Sequence, residues 1–238
     1  MGGLKLLKTR ARVAASFWRM PKAGELAKLR ALGLEIAEVR LDLAGITRPE
    51  DAAALMKHFS QLPSIATMRG AAEGGKWRGS DKDRHAILKA ALQYADAADI
   101  EIAASNAAAV IKTAQAFGKT IILSRHNFAG VDAPEAMDAL AIKTLPPNNK
   151  ANGNPSVILK IAGRIRSAKD LRMMEDFLRR WRHHPVVVIG MGESKSALSS
   201  RRTFPRRGSK LAFAAISQKS APGQLTLPQT KTASRTRQ

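Results

Sequence analysis

Short apolar or β-branched runs recur along the chain at regular spacing and alternate with alanine- and leucine-rich stretches of helical periodicity. Strands that alternate with helices about eight times, in a chain of 238 residues, predict a closed parallel (β/α)8 TIM barrel. The candidate strands are residues 12–17, 35–41, 64–69, 97–102, 119–124, 156–162, 185–191 and 210–216. The clearest helical stretches are residues 22–32, 49–59, 81–94, 106–117 and 167–181.

An open, doubly wound sheet is the alternative arrangement of the same elements. Such a sheet usually carries a glycine-rich phosphate loop after an early strand, and the sequence contains neither G-x-G-x-x-G nor a Walker motif. The barrel is therefore favoured, as a single catalytic domain over residues 1–224. Residues 225–238 are basic and polar with little apolar content, which predicts a disordered tail.

The absence of cysteine limits the cellular compartments in which we expect the protein. The sequence contains no cysteine, so disulfides, thiolate catalysis and cysteine-bound zinc are excluded, and a cytoplasmic location is expected. No apolar run reaches the length of a membrane span, and residues 1–12 lack the apolar core of a signal peptide. No membrane association is expected.

The formal charge of +21 is high for an enzyme and would suit a nucleic-acid partner. Against that partner, the basic residues are scattered, aromatic side chains make up only 5% of the chain, and no zinc-finger, homeodomain or RNP motif occurs. A basic surface around a pocket for an anionic substrate accounts for the charge. Nucleic-acid binding is not favoured and is kept as an alternative.

Lys160 interrupts an apolar run that extends from Val157 to Gly163. A lysine that points into a dry site has a lowered pKa, and its neutral amine can attack a carbonyl carbon. The sequence therefore suggests Schiff-base chemistry. The alternative is a lysine at the end of a strand that extends its ammonium group to solvent.

Polar residues fall late in five successive candidate strands. Alternate residues of a barrel strand face the barrel interior, and catalytic groups collect at the C-terminal ends of the strands. Each of these polar residues, taken alone, is more often structural, but their joint occurrence predicts one site at the mouth of the barrel. They are Glu38 and Arg40, Arg69, Asp99 and Glu101, Ser124 and His126, and Lys160.

The same residues resemble those of the type I 3-dehydroquinate dehydratases, the Schiff-base enzymes of the shikimate pathway of aromatic amino-acid biosynthesis. The matching segments span most of the chain, and their order and approximate spacing agree with the family. They are residues 38–42, Arg69 with residues 73–75, and residues 99–101, 124–128, 160–162, 208–209 and 220–224.

The resemblance implies a reaction and a role for three residues. Lys160 would form an imine with the ketone of 3-dehydroquinate, and dehydration to 3-dehydroshikimate would follow without a metal or cofactor. His126 would remove a proton and later protonate the departing hydroxyl, a role that suits a side chain titrating near neutrality. Glu73 would orient His126 and stabilise its charged form.

The resemblance also implies contacts to the substrate and a homodimer, since the family is commonly dimeric. Arg201 would bind the substrate carboxylate, because a guanidinium offers paired donors in one plane. Further contacts, to the ring hydroxyls and from a loop that closes over the site, would come from Glu38, Arg40, Arg69, Ser220 and Gln224.

Residues 191–201 depart from the family pattern, because the spacing is longer and one expected glycine is missing. Counting back from Gly208 assigns the carboxylate contact to Arg201, with Arg202 as the adjacent alternative. Two other functions remain open. A Schiff-base aldolase could use the same barrel and lysine, and a non-catalytic basic barrel could bind nucleic acid.

Overall fold

The alternation of strands and helices produces a curled parallel sheet surrounded by helices. The computed structural model describes residues 10–145, 157–216 and 221–235. The strands are β1 (Arg12–Phe17), β2 (Ile36–Arg40), β3 (Ser64–Thr67), β4 (Ala97–Glu101), β5 (Thr120–Asn127), β6 (Val157–Arg164), β7 (Val186–Met191), β8 (Leu211–Ala215) and the short β9 (Leu225–Thr226). The helices are α1 (Glu25–Leu32), α2 (Pro49–Lys57), α3 (Asp81–Leu92), α4 (Ala107–Ala116), α5 (Pro134–Thr144), α6 (Ala168–Trp181), α7 (Lys195–Arg207) and α8 (Leu227–Ser234), with a 3-10 turn at Ala71–Glu73.

Parallel ladders run without interruption from β7 back through β1 to β8, and β9 adds to the edge of β8. Between β7 and β8 the barrel closes differently. The backbone N–H of Lys210 donates to the carbonyl of Val186 at 2.9 Å, and the Ser209 hydroxyl accepts from the N–H of Val188 at 3.0 Å. The predicted (β/α)8 class is confirmed. Between β7 and β8, the Ser209 side chain takes the place of some of the backbone hydrogen bonds that join the other neighbouring strands.

Strand residues alternate between two apolar layers, as their parity predicted. Side chains such as Ile36, Ile122 and Ile158 pack together inside the barrel. Their neighbours along the strands, such as Val39 and Leu123, belong to a second cluster between the sheet and the helices. The interior of a barrel is narrow, so a polar residue that shares the inward parity near a strand end must line its mouth.

Helix α7 lies where the sequence showed no clear helical pattern. Its segment is rich in serine and arginine and contains Pro205 in the last turn. The hydroxyl of Ser194 caps the helix by accepting from the N–H of Ala197 at 3.1 Å. The buried side of α7 is short, with Ala197 and Phe204 fully covered, so its apolar periodicity was too weak to predict from sequence.

The predicted disordered tail is where the structure differs from the sequence-based expectation. The chain forms β9 and α8 over this region, and residues 236–238 lie outside the described part. Thr226 begins α8 with a capping box, in which its N–H donates to Gln229 Oε1 at 3.0 Å. Small side chains such as Thr230 and Ala233 let α8 pack closely, and a composition test that counts large apolar residues misses such a helix.

Among the helices of the described residues, none combines the length and the apolar character required to cross a bilayer.

Candidate active site

The C-terminal ends of β2, β3, β5 and β6 direct polar side chains into one cavity of about 60 Å³. Apolar groups from β7 and β8 and from the loop after β5 complete its wall. The residues that line the cavity are Glu38, Arg40, Arg69, Glu73, Gly74, His126, Phe128, Lys160, Ala162, Ile189, Met191, Arg201, Phe213, Ala221 and Gln224.

Lys160 points into this cavity and is only 4% exposed. Its Nζ atom lies 2.9 Å from Asp99 Oδ2 and 3.8 Å from Glu38 Oε1. The same atom lies 4.5 Å from the centre of the Phe213 ring. The alternative that Lys160 extends to solvent is therefore wrong, and its amine stands between two carboxylates and an aromatic face.

Asp99 contacts Lys160 and is itself held in place by two neighbouring side chains. Its Oδ1 atom accepts hydrogen bonds from Arg69 at 2.7 Å and from the Ser124 hydroxyl at 2.7 Å, while Oδ2 faces Lys160. Burial opposes ionisation of Asp99, but the positive charges of Arg69 and Lys160 outweigh it and hold its pKa well below the usual range. Asp99 is thus a permanent carboxylate beside the amine.

Arg69 follows β3, and its buried side chain forms hydrogen bonds with residues of β4 and β5. One nitrogen donates to Glu101 at 3.1 Å and to Ser124 at 2.6 Å, and the other donates to Asp99. Burial disfavours its charge, yet Asp99 and Glu101 raise its pKa further above the normal value. These contacts join the end of β3 to β4 and β5, so Arg69 organises the cavity wall.

His126 lies on β5 two residues beyond Ser124, the residue that pairs with Lys160 across the sheet. Glu73 accepts from the backbone N–H of His126 at 2.8 Å and lies 2.9 Å from its Nδ1 atom. A proton on Nδ1 satisfies this contact and leaves Nε2 as the ring nitrogen that can accept a proton. Glu73 therefore fixes both the orientation and the tautomer of His126.

The electrostatics of this pair suit a base that is neutral before it reacts. Burial, with Arg69 and Lys160 close by, lowers the pKa of His126 well below its ordinary value. Burial also raises the pKa of Glu73 to about 6. At neutral pH Glu73 is mostly ionised and His126 is unprotonated, the combination that proton abstraction requires.

Arg40 and Glu38 line the part of the cavity wall that β2 forms. Arg40 makes a bidentate contact with Asp42, at 2.8 and 2.7 Å, which holds its guanidinium along the rim of the cavity. Glu38 accepts from the hydroxyls of Ser16 and Thr67, so one carboxylate is fixed by two neighbouring strands. Both residues lie where strand parity placed them.

Arg201 enters the cavity from α7, whereas Arg202 is exposed on the outside of the helix. One Arg201 nitrogen donates to the carbonyl of Pro222 at 3.2 Å. Its buried Nε atom has no hydrogen-bond partner, and no carboxylate pairs with it among the described residues. Burial lowers its pKa to about 10, so the guanidinium keeps its charge at neutral pH.

The segment that departs from the family pattern is well accommodated. Gly192 adopts a φ of +118°, and Gly223 packs so closely that an added Cβ would lie 2.0 Å from the Gly192 carbonyl oxygen. The following residues form the first turns of α7 and present Arg201 to the cavity. Gln224 also reaches the cavity, while Ser220 lies outside the described residues.

Strand parity placed Asp99 at the predicted site but gave it no role, and neither Asp42 nor Phe213 was predicted to act there. Phe213 shares the inward parity of its strand, so that signal could have found it. Asp42 follows the end of β2, and only the folded loop shows that it holds Arg40. The structure brings together all of the predicted site residues that it describes.

A model of the type I 3-dehydroquinase family matches residues 21–238. The chain belongs to the type I 3-dehydroquinase family. The 3-dehydroquinate dehydratase of Methanosarcina acetivorans is 36% identical over 209 residues, which cover 84% of each chain. That of Methanosarcina barkeri is 34% identical over 246 residues, covering 97% of this chain and 96% of the relative.

Solved structures of other type I 3-dehydroquinases and their relatives share the fold. The 3-dehydroquinate dehydratase of Geobacillus kaustophilus aligns with a TM-score of 0.77 at 21% identity, over 94% of this chain and 90% of that one. The type I enzyme of Clostridium difficile, solved with covalently modified comenic acid, gives 0.77 at 19% identity, over 97% and 96%. The barrel is therefore that of the type I 3-dehydroquinase family.

Proposed function

We propose that this protein dehydrates 3-dehydroquinate to 3-dehydroshikimate, a step of the shikimate pathway, through an imine on Lys160. The observation that carries the proposal is the amine of Lys160, buried in the cavity with the oriented base His126 on the neighbouring strand. Family membership supplies the substrate. The geometry of the cavity supports the role that we assign to each residue.

The reaction begins when the deprotonated amine of Lys160 attacks the ketone carbon, and loss of water gives a protonated imine. The imine withdraws electrons from the adjacent carbon, which makes its proton acidic. His126 takes that proton through Nε2, and Glu73 stabilises the imidazolium that results. His126 then returns the proton to the hydroxyl that leaves from the next carbon, and water hydrolyses the imine to release the product and Lys160.

Arg201 is the group that binds the substrate carboxylate. It is the buried cation of the cavity that has no carboxylate partner among the described residues, and leaving a buried charge unpaired is costly unless a ligand satisfies it. Arg40 and Glu38 stand on the opposite wall and are positioned for ring hydroxyls. Arg69 donates three hydrogen bonds, to Asp99, Glu101 and Ser124, so its role is to hold the wall in place.

Two features bear on the alternatives. A Schiff-base aldolase would also need Lys160, but family membership and the His126–Glu73 pair favour removal of a proton followed by loss of a hydroxyl. A barrel that only binds nucleic acid would have no use for a buried lysine, base and carboxylate in one cavity. We keep a homodimer in the cytoplasm as part of the proposal, to be checked by light scattering and cell fractionation.

The deciding experiment measures the ultraviolet absorbance of the conjugated enone product after 3-dehydroquinate is added. The wild-type protein should produce it, Lys160→Ala should not, and the control Lys169→Ala, on the exposed surface of α6, should match the wild type. Borohydride added with substrate should give a covalent adduct in the wild type and in Lys169→Ala alone, seen by intact-mass analysis. An active Lys160→Ala variant would overturn the proposal.

A further inference from the structure

Most of the net positive charge of the chain lies in its second half, because acidic residues are fewer there. Residues 119–238 hold 22 of the 40 basic residues but only 7 of the 19 acidic ones. Helix α7 carries Lys195, Arg201, Arg202, Arg206 and Arg207 and no acidic residue. Of these, only Arg201 reaches the active-site cavity, so the proposed reaction leaves the rest of this charge without a use.

Much of that charge borders a second cavity, of about 650 Å³, which we name the rim cleft. It lies at the N-terminal ends of β1 and β8, between the C-terminal ends of α6 and α7, and so at the opposite end of the barrel from Lys160. A volume in this range is typical of pockets for small molecules. Six cationic side chains line the rim cleft: Arg10, Arg179, Arg182, Arg206, Arg207 and Lys210.

Three of these cations are neutralised within the protein. Arg10 pairs with Glu35 at 2.8 Å, Arg179 pairs with Asp176 at 2.9 Å, and Arg207 pairs with Glu175. The two acidic side chains that line the rim cleft, Glu175 and Asp176, are both used in this way. No lining carboxylate is left over for the remaining cations.

Within the described part of the chain, the other three cations have hydrogen bonds to acceptors that are not carboxylates. Arg182 donates to a ring nitrogen of His183, and Arg206 donates to the carbonyls of Thr232 and Ala233 at the end of α8. Lys210 is buried at the floor of the cleft and donates to the carbonyl of Arg182 at 3.0 Å. Carbonyls at helix ends carry partial negative charge, which offsets a cation only in part.

The buried ammonium of Lys210 adds to the excess of positive charge in the rim cleft. Burial lowers the pKa of its ammonium, and no carboxylate among the described residues compensates for that burial. An ammonium has three donors, of which one is used by the Arg182 carbonyl. A ligand anion in the cleft would satisfy the others.

We propose that the rim cleft binds a small molecule that carries two or more phosphate groups. Planar guanidinium groups and an ammonium are the donors that proteins use for phosphate oxygens. A single phosphate group supplies at most about two negative charges, so three cations without a carboxylate partner match a ligand with two or more phosphates. The cleft is larger than a single phosphate needs, so the rest of the ligand also lies within it. This site does not depend on the proposed reaction and is separate from its cavity.

The test is isothermal titration calorimetry of the full chain with inorganic tripolyphosphate, at about 150 mM salt so that scattered surface charges are screened. The wild type should bind one equivalent. The variants Arg182→Gln and Arg182→Gln/Arg206→Gln should bind about tenfold more weakly or not at all. The matched control is Arg48→Gln, which removes an exposed arginine that is paired with Asp51, and it should bind like the wild type.

The single variant leaves the contacts of Arg206 with α8 intact, so a loss of binding there cannot come from α8. Unchanged dehydration activity in both variants would show that the barrel is folded. Equal weakening in Arg48→Gln, or no binding by the wild type, would overturn the proposal. So would tighter binding of a 12-residue oligothymidylate that is lost in Arg182→Gln, since the rim cleft would then be part of a nucleic-acid surface.

Discussion

The Nζ atom of Lys160 lies 2.9 Å from Oδ2 of Asp99, and the two side chains are 5% and 1% exposed. Asp99 is itself held by hydrogen bonds from Arg69 and Ser124, so the carboxylate that positions the amine is rigid. Only an amine that points at the ketone carbon can attack it. Asp99 therefore sets the direction of the amine.

Asp99→Asn should slow imine formation by up to about a hundredfold, because it weakens a charge-assisted hydrogen bond to Lys160 of about 1.5 to 3 kcal/mol. It should also lower the free energy of unfolding by about 3 to 5 kcal/mol, since Arg69 would lose a buried partner. The measurements are the rate of borohydride trapping and urea unfolding.

The control for that variant is Asp132→Asn, which disturbs the half-exposed pair with Arg125 and should cost about 1 kcal/mol or less. If Asp99→Asn trapped substrate at the wild-type rate, the carboxylate would have no part in positioning Lys160.

His126→Ala should form the imine but stop before dehydration. Lys160 keeps its contacts to Asp99 and Glu38, while the group that moves the proton is gone. Loss of a general base typically lowers the rate by about 10² to 10⁴. Intact-mass analysis after mixing with substrate should show the adduct accumulating with borohydride present, and absorbance should show little product. Normal turnover would mean that another base acts.

The dehydration rate should fall as the pH drops through about 6. The pKa of Glu73 is raised to about 6 by burial, and its protonation removes the negative charge that stabilises the His126 imidazolium. The measurement is a pH–rate profile of wild type and Glu73→Gln. The variant should be slower at neutral pH and should lack the fall near pH 6, and an unchanged profile would assign that titration to another group.

Glu73 should also affect stability, with the opposite sign from a paired carboxylate. Its folded pKa, about 6, lies above the unfolded value, so its contribution to stability is present below about pH 4.5 and is lost as the pH rises through 6. Relative to Glu73→Gln, the wild type should lose about 2 kcal/mol of unfolding free energy between pH 4 and 7. Urea unfolding across this range measures the difference, and a constant difference would contradict the raised pKa.

Arg201→Gln should raise KM by about tenfold to a hundredfold, the cost of a lost charge-assisted hydrogen bond of about 1.5 to 3 kcal/mol. Arg202→Gln is the matched control, because Arg202 is adjacent but exposed, and its kinetics should equal those of the wild type. Steady-state assays with 3-dehydroquinate distinguish the two. A larger effect from Arg202→Gln would reverse the assignment.

Strand periodicity explains why much of the site could be predicted from the sequence. Side chains on a strand alternate with a period of two, so Glu38, Asp99, His126 and Lys160 could be placed on the inward side of their strands from the order of residues alone. The bounds of β1 and the start of α2 also followed from the sequence, although α2 ends at Lys57 rather than at the predicted residue 59. Local signals of this kind depend on near neighbours in the chain.

The sequence by itself determined the barrel, the inward set of polar residues and the buried lysine among them. Only the tertiary structure decided which charges pair. Arg69 pairs with Asp99 and Glu101, while Arg201, and not Arg202, lies in the cavity with no carboxylate partner among the residues that the structure describes. It also decided that Ser209 closes the barrel and that residues 227–234 form a helix. These outcomes depend on contacts between residues far apart in sequence, and local periodicity carries no information about such contacts.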